Sequence, residues 1–89
     1  MIKLISVRPK SSRELLLRFS DGSWGVLDAG RYLDAATEMT RPLEDPAFFS
    51  RCFIEAGALA WPNGFDLSAQ SLHDRLRDAG ALRWNAEAA

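Results

Sequence analysis

Apolar and polar residues alternate along the first part of the chain. Residues 2–8 follow this period of two and predict a first strand. Residues 14–19 predict a second strand with Leu15, Leu17 and Phe19 on one face, because successive side chains of a strand point to opposite sides. The chain is therefore predicted to begin as a β structure with one apolar face.

An Asp-Gly dipeptide at 21–22 predicts the turn into a third strand. Asp-Gly is typical of the two-residue type I′ turn, in which both central residues have positive φ. Such a loop also sets the register of the hairpin, which would place Phe19 opposite Trp24 and Leu17 opposite Val26. Large apolar residues would then pair across one face.

The middle of the chain is less regular. Residues 31–36 predict a short helical turn, and residues 37–42 predict a loop. Asp45 has the side chain of a helix N-cap and Pro46 suits the first helical position, so a short helix is predicted over residues 46–51.

A second hairpin is predicted from two short apolar stretches, residues 52–55 and 58–61, on either side of Ala56 and Gly57. Gly57 takes the left-handed conformation that such a turn requires without the steric cost of a side chain.

The last helix has recognisable ends. Ser68 is predicted to cap it, Leu67 stands where a hydrophobic staple requires an apolar residue, and Gly80 is predicted to end it. The helical spacing of apolar residues predicts a buried stripe of Leu72, Leu76 and Ala79.

These elements predict an α+β fold. A small antiparallel sheet is built from an N-terminal β-β-β unit and a later β-hairpin, with a short middle helix and a C-terminal helix packed on the sheet. Residues 1–80 are predicted to form one domain and residues 81–89 a C-terminal tail, from which Trp84 would fold back onto the sheet.

Charge and composition narrow the functional classes. The 89 residues have a formal net charge of −1, which argues against a broad electrostatic contact with nucleic acid or anionic lipid. Residues 1–20 are locally basic against Glu14 alone, which predicts either a basic patch on the first hairpin or an ordinary solvated face. No stretch has the length of a membrane span and the N-terminus alternates, so a soluble cytoplasmic protein is predicted.

The sequence offers little chemistry for catalysis or metal binding. Cys52 is the only cysteine, which allows no intrachain disulfide, and its apolar neighbours predict a buried, inert thiol. His73 is the only histidine, so any nucleophile–base pair must use it, and it is interpreted as a surface or boundary residue. We predict no catalytic residues, no metal site and no cofactor.

The segment 61–67 has the highest density of turn-forming and aromatic residues. Asn63 is followed by Gly, which is typical of a structural turn. The alternative interpretation is a binding loop that presents Asn63 and Asp66 beside Trp61. A rigid turn is compatible with both interpretations. Arg41, before Pro42, is interpreted separately as either an anion contact or a solvated loop arginine.

The chain resembles the family called domain of unknown function 2442. The residues that carry the resemblance lie between positions 2 and 78, and they are 17–22, Gly25, Asp28, Pro42-Leu43, Phe49, 61–64, Asp66-Leu67 and Leu72. The family consists of small bacterial α+β proteins, with no activity, cofactor or catalytic set assigned. Some of its members look like the antitoxin-side partner of a neighbouring small protein, and the resemblance implies the same role for this chain.

The predicted function is a non-enzymatic protein-interaction module, and the resemblance favours the antitoxin-like half of a pair as its form. The alternative is a small-ligand-binding or accessory enzyme domain with a pocket near Trp61, Asn63 and Asp66. A weaker alternative is nucleic-acid contact through the basic first hairpin. Exposed edge strands also predict a homodimer.

Overall fold

The computed structural model describes residues 1–84. Ten short elements follow one another along the chain. They are β1 (Leu4–Pro9), β2 (Glu14–Phe19), β3 (Trp24–Asp28), α1 (Gly30–Ala35), a 3₁₀ turn (Arg41–Glu44), α2 (Pro46–Phe49), β4 (Phe53–Glu55), β5 (Ala58–Ala60), β6 (Asp66–Leu67) and α3 (Ala69–Asp78).

The strands form two antiparallel sheets of three strands each, in the orders β1-β2-β3 and β4-β5-β6. The α+β class is confirmed, while the strands are divided between two small sheets. The sequence pattern did not reveal β6, a two-residue strand that pairs with β5. One hydrogen bond links the sheets directly, because the Leu4 N–H donates to the Gly57 carbonyl at 2.8 Å.

The first hairpin is present, but its predicted turn and register are wrong. Its loop has three residues, 20–22, closed by a hydrogen bond from the Phe19 N–H to the Ser23 carbonyl at 2.8 Å. Within the loop only Gly22 has a positive φ, of 91°, as in a type I turn followed by a bulge. Phe19 therefore pairs with Ser23, and Trp24 faces Arg18.

This shift of one residue changes the face of β3 that meets the core. Leu17 pairs with Gly25, where Val26 was predicted, and Leu15 pairs with Leu27. Gly25 and Leu27 are buried with β2, whereas Val26 is only half-buried on the other face. A one-residue slip exchanges the two faces of a strand because side chains alternate.

Gly25 allows α3 to approach the first sheet closely. A Cβ at this position would lie 2.8 Å from the Ala81 carbonyl oxygen and 3.1 Å from Leu76 Cδ1. Because glycine has no side chain, the helix and the backbone after it can cross β3 at this point. This contact fixes α3 against the β2–β3 hairpin.

The predicted elements in the middle of the chain are present. Helix α1 covers the predicted helical turn, and the Asp45 side chain accepts a hydrogen bond from the Ala47 N–H at 3.1 Å at the start of α2. Phe49 at the end of α2 is fully buried. Leu43 of the 3₁₀ turn is buried beneath the loop before it.

The second hairpin contains the type I′ turn. Ala56 has φ 52° and Gly57 has φ 83°, which are the two successive left-handed residues that this turn requires. Glu55 pairs with Ala58 directly beside the loop, and Phe53 pairs with Ala60 at the other end. The predicted hairpin is confirmed.

Helix α3 begins and ends as predicted. The Ser68 hydroxyl accepts from the Ser71 N–H at 3.1 Å. After Asp78, Gly80 has φ 70° and donates to the Arg77 carbonyl, while the Ala81 N–H donates to the Leu76 carbonyl at 2.8 Å. This pair of bonds is a Schellman motif.

The buried stripe of α3 was predicted correctly at Leu72 and Leu76 but not at Ala79, which is exposed. Ala79 is the C-cap of the helix, so the chain turns away from the core before it. Ala69 at the other end of the helix is buried instead.

One core joins both sheets and the helices. Its buried apolar residues come from every layer of the molecule: Leu4, Leu15, Leu17, Phe19, Leu27, Leu33, Leu43, Phe49, Leu59, Trp61, Ala69, Leu72 and Leu76.

The segment after α3 returns to the first sheet. Arg83 and Trp24 exchange backbone hydrogen bonds of 2.7 and 2.8 Å, so Arg83 extends the sheet beyond β3. Trp84 remains largely exposed, with its ring edge-on to His73 at a centroid distance of 6.2 Å. The rest of the predicted tail, residues 85–89, lies outside the described residues.

Candidate functional site

Trp61 belongs to the core. Its side chain is 2% exposed, and its indole N–H donates to the Phe49 carbonyl at 2.9 Å. The rings of Phe49 and Phe65 both pack near it, with centroids 6.0 and 5.7 Å from that of the indole. Trp61 thus stabilises the segment from within and does not present its ring to solvent.

Asn63 ties two loops together. Its side-chain oxygen accepts from the Phe65 N–H at 3.2 Å, which closes a local turn, and its amide donates to the Met39 carbonyl at 3.0 Å. Gly64 has φ 91°, the conformation predicted for an Asn-Gly turn. Both polar groups of the amide therefore have backbone partners.

Asp66 and Arg41 are exposed, and neither side chain bonds another described residue. Asp66 lies in β6, opposite Ala60, and Arg41 begins the 3₁₀ turn two residues after the carbonyl that Asn63 binds. The structure brings Asn63 to the loop of Arg41, while Trp61 is beneath the surface. Binding by these four residues stays a prediction.

His73 is buried, so its interpretation as a surface or boundary residue is wrong. The side chain is packed edge-on against Phe19, with ring centroids 5.2 Å apart. Its Nε2 lies 2.9 Å from Asp21 Oδ2, across the gap between α3 and the first hairpin loop. Its Nδ1 is buried without a hydrogen-bond partner among the described residues.

The Asp21 carboxylate is held by several donors. Burial acts to raise its pKa, but hydrogen bonds from the Ser23 hydroxyl and backbone N–H, at 2.5 and 2.9 Å, and the contact with His73 together lower the pKa below its ordinary value. The ionised form of Asp21 is therefore favoured in the folded protein. The loop and α3 are joined through this group.

This Asp–His contact lacks the nucleophile that acyl-transfer chemistry needs. The Ser23 hydroxyl donates to Asp21 and makes no contact with a nitrogen of His73. Cys52 is half-buried, and burial raises the pKa of its thiol, which disfavours the reactive thiolate. Among residues 1–84, no three His, Cys, Asp or Glu side chains cluster closely enough to hold a metal ion.

Strand β4 presents apolar side chains to solvent. Phe53 is 40% exposed and Ile54 is 36% exposed, although they are neighbours in a strand and point to opposite faces. Strand β4 is also an edge of its sheet: within residues 1–84 it pairs with β5 alone, although β1 lies near it. Two consecutive large apolar residues in a three-residue strand were the available sequence signal for this surface.

A groove between α1 and α3 contains two arginines that sequence reasoning missed. Arg31 and Arg75 both line a concave region of about 500 Å³, whose other lining residues are Ser71, Asp74, Asp78 and Ala79. The two arginines are 44 positions apart in the sequence, as their numbers show. No local pattern predicts that they share a groove.

The fold and these surfaces define a small α+β protein with two three-stranded sheets. The sequence profile of a family described as "Protein of unknown function (DUF2442)" matches residues 4–78. The chain belongs to this family, as its resemblance implied. No similar curated protein or solved structure was found. No helix within residues 1–84 is long and apolar enough to cross a membrane.

Proposed function

We propose that this protein is a non-enzymatic protein-interaction module that pairs through the edge strand β4. The observation that carries the proposal is the exposure of the whole strand, including the large apolar side chains of Phe53 and Ile54. Exposed edge strands are templates for pairing with another chain unless they are blunted by charge, proline or a covering element.

The backbone of Ile54 is the part of β4 suited to such pairing. A β-turn hydrogen bond closes the two-residue loop between Glu55 and Ala58. Hydrogen-bonded and non-hydrogen-bonded pairs alternate along an antiparallel ladder. Because Glu55 and Ala58 form a hydrogen-bonded pair, the next pair, Ile54 and Leu59, is not hydrogen-bonded. The N–H and C=O groups of Ile54 therefore point away from β5.

A second surface feature lies close by. A β-bulge between Leu4 and Ser6 leaves Ile5 outside the ladder, and this side chain is 61% exposed. Strand β1 passes beside the second hairpin, where Leu4 bonds to Gly57. An incoming strand at β4 would thus meet additional apolar surface.

The occupant that this edge fits is β4 of a second copy. Antiparallel pairing about a two-fold axis at Phe53 would bring Ile54 of each copy opposite Cys52 of the other, and would bring Arg51, in the turn just before β4, near Glu55 of the other copy. Opposite charges at facing positions of neighbouring strands are favourable. In an antitoxin-like protein, the same edge would be the surface offered to a small protein partner.

Charge exchange tests self-pairing directly. We expect the unmodified chain to self-associate at about 100 µM in light scattering, a concentration that detects weak pairs. Arg51→Glu and Glu55→Arg should each shift the protein towards monomer, because each variant places like charges opposite one another. An equimolar mixture of the two variants should recover dimers, because both facing pairs are then of opposite charge.

Ile54→Pro and Ile54→Thr provide a matched test of the backbone. Proline removes the outward N–H without affecting the β4–β5 ladder, whereas threonine keeps this donor and a β-branched side chain. Pairing should be lost with proline and retained with threonine. Self-association that is insensitive to proline and to both charge variants would refute the edge assignment.

If the chain is monomeric at about 100 µM, self-pairing is refuted and the partner of the edge must be a different protein. Co-purification from the native host with mass spectrometry would then identify the partner. Recovery of that partner by the threonine variant but not by the proline variant would support the edge as the contact surface. Equal recovery by both variants would refute the proposal.

A further inference from the structure

The groove between α1 and α3 has a polar end and an apolar end. Arg31, Arg75 and Ser71 line its polar end, which measures about 500 Å³. The same two arginines also border an adjoining concavity of about 290 Å³, lined by Val26, Leu76 and neighbouring apolar residues. The two regions together have the size of small-molecule sites, which range from about 300 to 1,000 Å³.

Neither arginine is paired with a carboxylate of the described chain. Arg75 lies over the ring of Tyr32, with its guanidinium carbon 4.9 Å from the ring centroid, and its Nε is buried without a hydrogen-bond partner. Arg31 is exposed and makes no hydrogen bond or ion pair with another described residue. The stacking holds the Arg75 side chain in place, and no carboxylate of the described residues forms an ion pair with its guanidinium.

The acidic residues of the groove have other partners. Arg77 lies 3.3 Å from Asp74 and 3.4 Å from Asp78. Asp28 accepts a hydrogen bond from the Gly30 N–H at 2.8 Å. No ion pair joins these carboxylates to the two groove arginines, but Arg77 balances the charge of only one of its two aspartates and Asp28 keeps its own, so together they add negative potential that disfavours a highly charged ligand.

We infer that this groove binds a small organic monocarboxylate with an apolar body. A carboxylate accepts two parallel hydrogen bonds from a guanidinium, and Arg31 and Arg75 supply such donors at one end. Val26, Leu76 and Ala81 supply apolar surface for the body of the ligand at the other end. Phosphate dianions and nucleic acid are disfavoured by the three neighbouring carboxylates.

Hexanoate and hexanamide are suitable probes, because they share one apolar body and differ in the charge of the head group. We expect hexanoate to cause saturable shifts in the amide NMR signals of Ser71, Arg75 and Ala81. Hexanamide should bind at least about tenfold more weakly, the factor expected from hydrogen bonds to a charged group. Acetate, which lacks the body, and inorganic phosphate should also bind more weakly than hexanoate.

Arg31→Gln is the primary variant because Arg31 is exposed and has no structural contact to lose. It should weaken hexanoate binding by about fivefold or more, and Arg75→Gln should have the same or a larger effect. Arg8→Gln is the matched control, since Arg8 is an exposed arginine on β1. Its hexanoate affinity should equal that of the unmodified chain.

Three results would overturn the inference. The first is equal affinity for hexanoate and hexanamide, and the second is an unchanged hexanoate affinity in Arg31→Gln. The third is amide NMR shifts that grow linearly with hexanoate concentration up to about 50 mM, well above the millimolar dissociation constant of a weak specific site. None of these results depends on β4, so the proposed interaction through that strand is tested separately.

Discussion

The two hairpins of this molecule turn by different means. The loop between β2 and β3 has three residues, and its Asp21 side chain bonds both Ser23 within the hairpin and His73 on α3. The loop between β4 and β5 has two residues, Ala56 and Gly57, whose backbone conformation makes the turn. The first loop is joined to α3 by a side chain, whereas the second is joined to β1 by the backbone carbonyl of Gly57.

This difference separates the hairpin that stabilises the fold from the hairpin that offers a surface to another chain. The first hairpin is buried along one face and is held by α3, so its role is to build the core. The second hairpin begins with β4, whose three residues are all exposed. A strand that contributes so little to the core is free to serve as a surface for another chain.

The largest expected effect comes from separating the first hairpin from α3. Gly25→Ala places a Cβ 2.8 Å from a backbone oxygen, which requires the helix end and the strand to move apart. We expect a loss of about 2–3 kcal/mol in the free energy of unfolding, measured by urea denaturation. The control is Gly22→Ala, which meets no atom within 4 Å and should lose only about 1 kcal/mol because of its positive φ. Equal losses would contradict the close approach.

Asp21→Asn tests the side-chain connection of the first loop. Asn-Gly is a stronger type I′ turn sequence than Asp-Gly, yet we expect a loss of about 1 kcal/mol at pH 7, because the carboxylate bonds to Ser23 and His73 are weakened. A gain in stability would show that local turn propensity governs this loop.

The effect of Asp21 on stability should depend on pH. Its pKa is lower in the folded protein than the ordinary value of 3.8, so the ionised group stabilises the fold above that value. This contribution is lost as the pH falls from about 4 towards the lower pKa of the folded state. The difference in unfolding free energy between the wild-type chain and Asp21→Asn should therefore shrink between pH 5 and about pH 2, as measured by urea denaturation. A constant difference would contradict the ionised contact.

Ala56→Asn should have a smaller effect of the opposite sign. Ala56 already has a left-handed φ of 52°, which asparagine adopts more readily than alanine. We expect a gain of about 0.5 kcal/mol in the free energy of unfolding, seen as a higher melting temperature. A loss would mean that contacts beyond the loop also determine the second turn.

Much of the fold follows from local sequence rules. Ser68, Gly80 and Asp45 each occupy the cap position predicted for them, because capping depends on a few adjacent backbone groups. The register of the first hairpin was not predictable in this way. Asp21 is drawn into contact with His73, 52 positions later, and no turn propensity includes that interaction.

Contacts between distant residues were also not predictable at the candidate site. The turn at Asn63 was correctly predicted from two residues, whereas its bond to the Met39 carbonyl depends on the tertiary fold. The groove arginines and the exposed β4 also arise from the placement of separate elements. In each case the chemical groups are visible in the sequence and their neighbours are not.

Amide hydrogen exchange at β4, followed by NMR, tests the central claim most directly. In a dilute sample the Ile54 N–H should exchange rapidly because it points away from β5, while the Phe53 N–H within the ladder should be protected. Protection of Ile54 should then rise with protein concentration as a second copy pairs with the edge. An Ile54 amide that is already protected in the dilute monomer would show that the edge is covered within the chain and would contradict the account.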